Sequence, residues 1–166
     1  MIDLAIKRSI NKALAMLPMK MDTLAARVQV YAIGYQESEF EVRRQYNNGP
    51  AASFWQFERG GGIVGVITHR SSVGFAREIC LSRDVEFESK AIWKAMLEDD
   101  VLGAAFARLL LWTDPRPLPS VPDRIVPTDA EASLSWQYYE RNWRPGQPHP
   151  EKWHASYAKA LEEVAL

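Results

Sequence analysis

Tyr31-Ala32-Ile33-Gly34-Tyr35-Gln36-Glu37-Ser38-Glu39-Phe40, and then Asn47-Asn48-Gly49-Pro50-Ala51-Ala52-Ser53-Phe54-Trp55-Gln56-Phe57-Glu58, decide how this chain folds. The first stretch closes an apolar pattern of helical period through Leu24, Val28, Tyr31, Ala32 and Tyr35. Asp22 is the expected N-cap, and the helix is expected to end near Glu37 or Ser38. The period then changes. Arg43 to Tyr46 and Ser53 to Phe57 read as two short extended pieces around Asn47-Asn48-Gly49-Pro50. There, Asn-Gly is expected to supply the positive backbone angles of a tight hairpin.

Outward from this stretch the helical period dominates. Ile2, Ile6, Ile10, Ala13, Leu14 and Leu17 mark a first helix that Pro18 closes. Beyond Gly60-Gly61-Gly62, helical pieces are expected over Ile63 to Thr68, Val73 to Leu81, Ser89 to Leu97 and Val101 to Trp112. Asp114-Pro115-Arg116-Pro117-Leu118-Pro119 must end the last of these, since proline removes an amide donor and clashes with the preceding turn. Two more helices, roughly 129 to 143 and 150 to 164, are too short to fold alone and should dock on the main body. The expected class is α+β, mostly α: one domain over 1–166 with a small β-hairpin between helices.

Composition fits that reading. The chain has 166 residues, 47% hydrophobic and 25% charged, as ordinary folded domains do. Twenty basic against 21 acidic side chains leave a formal charge of −1, which argues against a nucleic-acid partner. Cys80 is the only cysteine, so an internal disulfide and a cysteine-based zinc knuckle are excluded. No run of about 20 apolar residues is present, and no membrane-spanning segment is expected.

Chemistry concentrates at Glu37. A carboxyl group held against apolar and aromatic neighbours has its charged form disfavoured, and its pKa rises. Such an acid stays protonated near neutrality, as protonation of a glycosidic oxygen requires. The plain alternative is a solvated glutamate at a helix end. Gln36-Glu37-Ser38-Glu39-Phe40, with Gly49 to Gln56 following in the β region, resembles the lysozyme-like superfamily, and lytic transglycosylases and goose-type lysozymes in particular. Those proteins carry a Gln-Glu-Ser-x-Phe-like stretch at the end of a buried helix and a Gly-x-x-Gly-Leu-Met-Gln-like stretch after it. Here Ser53-Phe54-Trp55 stands where the family has Gly-Leu-Met, and Gln56 lies 19 residues beyond Glu37.

The resemblance implies a lysozyme-like fold and a peptidoglycan glycan strand as partner, cut between N-acetylmuramic acid and N-acetylglucosamine. It implies Glu37 as the catalytic acid, with Ser38 and Gln56 orienting the sugar; Tyr35 and Trp55 are expected beside the cleft. Glu58 lies where goose-type lysozymes place an aspartate. As a general base it would give hydrolysis with inversion, which needs carboxyl groups about 6.5–9.5 Å apart. Without it, the single-acid route to a 1,6-anhydro sugar is favoured. Glu39 is a third candidate, expected to face elsewhere. The family's Ala-Tyr-Asn motif has two candidate replacements, Trp136-Gln137-Tyr138-Tyr139 or Arg141-Asn142-Trp143-Arg144-Pro145-Gly146. The second string resembles those of small bacteriophage-encoded members.

Lys7, Arg8 and Lys12 are spread through Met1 to Leu17, unlike a signal peptide. Synthesis in the cytoplasm is expected, followed by action at the bacterial wall or periplasm after release at lysis or carriage in a phage particle. Two rival readings stand: a non-catalytic wall-binding or virion structural protein of the same fold, and an enzyme acting on chitin or chitosan. His69, His149 and His154 lack the spacing of a zinc site, so neither metal nor cofactor is expected. Gly60-Gly61-Gly62 lacks the lysine of a phosphate loop and reads as a turn over the cleft. Cys80 reads as a buried thiol. Trp93 and Trp112 are expected in the core, and Trp136, Trp143 and Trp153 fit either packing or sugar contact. Arg141, Arg144 and Lys152 gather positive charge that would suit an anionic polymer.

Overall fold

Asp3 opens the first helix by accepting the Ala5 amide at 2.6 Å, and eight helices with one small sheet follow in the computed structural model, which describes residues 1–165. They are α1 (Leu4–Ala15), α2 (Leu24–Ser38), β1 (Ala51–Ala52), β2 (Phe57–Glu58), α3 (Val64–Thr68), α4 (Val73–Ser82), α5 (Ser89–Ala95), α6 (Asp100–Trp112), α7 (Asp129–Trp143) and α8 (Pro150–Ala165). The chain is mostly helical, with its sheet between the second and third helices, as the change of period predicts. Among the described residues no helix is long and apolar enough to cross a membrane.

Helix α6 forms the centre. Every residue from Val101 to Leu111 is buried, so it is covered on all sides, as all-round apolar helices must be. α1 packs along α6, while α2 packs along α8, and α7 leans on α8. Thr128 and Glu131 form a reciprocal capping box at the start of α7. Both C-terminal helices thus dock on the body.

Three local expectations are corrected. The N-cap of α2 is Thr23, whose Oγ1 accepts the Ala26 amide, because Asp22 is engaged by Arg27 through Nε at 2.7 Å. The hairpin turn is Ser53 to Gln56 rather than Asn47 to Pro50, with Ala51 opposite Glu58 and Ala52 opposite Phe57. Ser53 and Gln56 take left-handed backbone at φ 67° and 50°. Their side chains close the turn: Ser53 Oγ accepts the Trp55 amide, and Gln56 Nε2 donates to Ser53 O at 2.8 Å. The Asn47-Asn48 segment instead joins Arg44 to Ala52 across a single antiparallel bridge. Asn47 and Asn48 supply the positive angles there, at φ 57° and 55°, and Gly49 does not.

The third correction is Trp55. Its side chain is fully buried, and its Nε1 donates to Val30 O at 2.8 Å. It packs edge-on against Phe40 and Phe54. The turn sends Phe54 and Trp55 inward because its own polar side chains satisfy its backbone, leaving the aromatic pair free to fill the space between α2 and α6. Full burial of a ring of this size is worth several kcal/mol (truncation to alanine typically costs about 3–5). Trp55 holds the hairpin to the core and cannot stack on a ligand.

Candidate active site

The end of α2, the hairpin, the glycine turn and the α7–α8 connection enclose one groove of about 1470 Å³. Tyr35, Glu37, Ser38, Gln56 and Glu58 all line it, and Trp55 does not. The groove passes over Leu110 of α6 and over Phe57 and Trp143, so its floor is apolar while its rims are polar. Gly60, Gly61 and Gly62 also line it, within a π-helical turn over Arg59–Ile63 that leads into α3 rather than an open loop. A side chain at Gly62 would overlap the Phe57 ring, and for this reason the chain passes here as glycine.

Glu37 sits half-buried in the last turn of α2. Its Oε1 accepts a hydrogen bond from the Tyr139 hydroxyl at 2.6 Å. Burial pushes its carboxyl up to about 7, and the Tyr139 bond pulls weakly the other way. Burial and the adjacent Glu37 in turn raise the Tyr139 phenol far above its ordinary value, which keeps it a hydrogen-bond donor. Tyr139 is itself fixed, stacked on Trp153 with centroids 4.7 Å apart. The carboxyl therefore has one oxygen held and a proton to give near neutral pH.

The sequence-predicted partners divide. Ser38 Oγ donates to Phe54 O at 2.8 Å and accepts the Phe40 amide, so it ties the end of α2 to the hairpin turn. The Gln56 amide nitrogen is used within the turn, and no hydrogen bond reaches its Oε1 from the described residues. Tyr35 reaches the groove with its ring, but its hydroxyl donates to Glu163 Oε1 at 2.6 Å. Glu58 is exposed, with no ion pair or side-chain hydrogen bond among the described residues. Glu39, at φ 52° beyond the helix end, pairs with Lys159 Nζ at 3.1 Å.

Comparison of the chain with models of protein families, with curated proteins and with solved structures returns no match.

Two further residues build the site. Tyr139, expected within a candidate replacement for the Ala-Tyr-Asn motif, holds the Glu37 carboxyl. Trp143 lies half-buried in the groove with its Nε1 donating to Trp55 O at 3.0 Å and its ring against Phe57 at 5.6 Å. Tyr139 and Trp143, four residues apart, share one face of α7, and only packing of α7 beside α2 shows which polar group that face meets. His149 Nδ1 lies 3.0 Å from Glu151, and His154 Nε2 lies 3.2 Å from Pro127 O. No cluster of three His, Cys, Asp or Glu side chains able to hold a metal forms among the described residues.

Proposed function

We propose that this chain is a peptidoglycan-cleaving glycosidase of lysozyme-like fold, with Glu37 as the general acid for the bond between N-acetylmuramic acid and N-acetylglucosamine. The observation that carries the reading is Glu37 itself: a carboxyl raised to about 7, in a groove of about 1470 Å³ and held by the Tyr139 hydroxyl. Helix-end glutamate, following serine and hairpin glutamine all border that groove in the order the motif resemblance implies. Of the two candidate replacements for the Ala-Tyr-Asn motif, the Tyr139–Glu37 bond favours Trp136-Gln137-Tyr138-Tyr139.

The chemistry needs one proton delivered and then recovered. Protonated Glu37 gives its proton to the glycosidic oxygen as the bond breaks and the sugar gains oxocarbenium character. The resulting carboxylate is stabilised by the Tyr139 hydroxyl. It then takes a proton from the attacking group, either the C6 hydroxyl of the same muramic acid or a water. Glu58 lines the groove but no neighbour orients its carboxylate. A general base must be positioned to be effective, so the intramolecular, single-acid route to a 1,6-anhydro end is the better supported one.

A zymogram on purified walls tests the reading. Wild-type protein should clear the gel, and Glu37→Gln should lose activity by a factor of about 10²–10⁴, the usual worth of a positioned acid. Glu58→Gln should keep most of it, and mass spectrometry should find anhydro ends. Equal lysis by wild type and Glu37→Gln removes Glu37 from the mechanism. Reducing ends lost in Glu58→Gln would restore the two-carboxylate route.

A further inference from the structure

The groove has two unlike rims. On the hairpin side stand Glu41 and Glu58, both exposed. On the α7–α8 side stand Arg141, Arg144, Lys152 and Lys159. Two of these cations are already taken, Arg141 by Asp114 at 2.7 Å and Lys159 by Glu39 at 3.1 Å. Arg144 and Lys152 are exposed and have no ion pair or side-chain hydrogen bond among the described residues. One carboxylate stands close to them in the chain, Glu151, and His149 Nδ1 lies 3.0 Å from it.

Short chains of bonds tie both cations to the neighbourhood of the acid. The His149 carbonyl accepts from the Lys152 amide at 3.2 Å and from Gln36 Nε2 at 3.0 Å, so Lys152 is anchored to the residue preceding Glu37. Arg144 closes α7, its amide donating to Glu140 O at 2.9 Å, one turn beyond the Tyr139 that holds Glu37. Its backbone stands at φ 50°, the left-handed cap position that glycine normally fills. An arginine there costs about 1 kcal/mol of backbone strain or more. Among the described residues no ion pair with Arg144 offsets that cost, and its charge is free to meet a ligand in the groove.

We propose that Arg144 and Lys152 form a carboxylate-binding subsite on the α7–α8 rim that holds the free carboxylates of stem peptides attached to the glycan strand. The proposal rests on the glycosidase reading and narrows its substrate class to strands that still carry their peptides. A linear sugar polymer in the groove projects its substituents to one rim or the other. The acidic hairpin rim repels a carboxylate, and the cationic rim attracts it. Chitin-like strands, which have no carboxylates, gain nothing from this rim.

The test compares matched glycan strands with intact stem peptides and after an amidase has removed them. Wild type should cleave the peptide-bearing strands with a KM about tenfold lower, the size two partly exposed ion pairs supply. The preference should weaken as salt is raised. Arg144→Gly with Lys152→Ala should abolish most of the preference with kcat nearly unchanged, since glycine accepts the same backbone angle. Arg144→Gln with Lys152→Gln should do the same, and a thermal melt confirms that either pair is folded. Equal KM values for the two substrates in wild type, or a full preference retained in both double variants, overturns the subsite while leaving the glycosidase reading intact. Absence of Glu37-dependent cleavage on either strand overturns both.

Discussion

Glu37 and Tyr139 lie 102 residues apart in the chain and share one hydrogen bond of 2.6 Å. The bond has two consequences that a substitution separates. It lowers the Glu37 pKa by favouring the ionised form, against the larger upward push of burial. It also fixes the orientation of the carboxyl and leaves Oε2 as the oxygen that would meet a glycosidic bond in the proposed reaction. Tyr139→Phe removes the hydroxyl and keeps the ring stacked on Trp153, so the packing survives. The remaining push is upward, and the alkaline limb of the rate profile should move to a pH above its wild-type position near 7. Loss of a hydrogen bond to a charged group is worth about 1.5–3 kcal/mol, so kcat should fall by roughly tenfold to a hundredfold. A pH–rate profile of wild type and Tyr139→Phe measures both. A limb that moves to lower pH would contradict the assigned role of the phenol.

At the scale of elements, the acid is placed by how α2 meets the hairpin. Phe40 folds back over the end of α2, edge-on to Tyr35, Phe54 and Trp55, and rests where Gly34 has no side chain. A methyl group at Gly34 would overlap the Phe40 ring, and because Ser38 links this helix end to Phe54 the strain has nowhere local to go. Gly34→Ala should therefore destabilise by about 1–3 kcal/mol despite alanine's better helix propensity. Chemical denaturation would show it, and an unchanged midpoint would mean that the Phe40 lid is not held as described. Most of the helices are legible in the sequence because they carry an apolar period with a capping side chain or a proline at an end, whereas α3 and α4 have neither and rest on their apolar residues alone. The position of Glu37 beside a groove was legible too, from one helix end and one turn-rich segment. Asn-Gly is a strong local signal and points to a turn at Asn47 to Pro50, ahead of the real one. The Ser53 to Gln56 turn is instead specified by side chains that bond their own backbone. The burial of Trp55 escapes the sequence for a related reason: local spacing does not say which face of a four-residue turn meets the core.

For the whole molecule, stability should depend on pH through two carboxyls, Glu163 buried and Glu37 half-buried, that pull in opposite directions. Glu163 on α8 is buried to 1% side-chain exposure and joins three parts of the fold, accepting from Tyr35 on α2, from the Ile2 amide and from Lys7 on α1. Burial pushes its carboxyl up, but those hydrogen bonds and the Lys7 charge together outweigh burial and leave it below its ordinary value. Its contribution to stability is present above the unfolded value near 4.5 and is lost as pH falls through the lower folded value. Glu37 behaves the other way. Its folded pKa near 7 lies above the unfolded 4.5, so the folded state binds the proton more tightly and stability falls as pH rises between the two. The full shift corresponds to at most about 3 kcal/mol. Thermal stability should therefore peak near pH 4.5, fall as pH rises toward 7 and level off above it, and fall on the acid side as Glu163 takes up its proton. In Glu37→Gln the alkaline decline should flatten and Tm at pH 8 should rise by several degrees, so that the acid chemistry and the stability of the fold are in direct conflict at one residue. In Glu163→Gln the acid-side decline should flatten instead, with a lower Tm at pH 7, because Lys7 loses its partner. Melting curves of the three proteins from pH 4 to 9 separate the two carboxyls. A Tm that rises steadily through pH 8 in wild type would show that Glu37 ionises in the folded state as easily as in the unfolded one, and would remove the physical basis for its role as an acid.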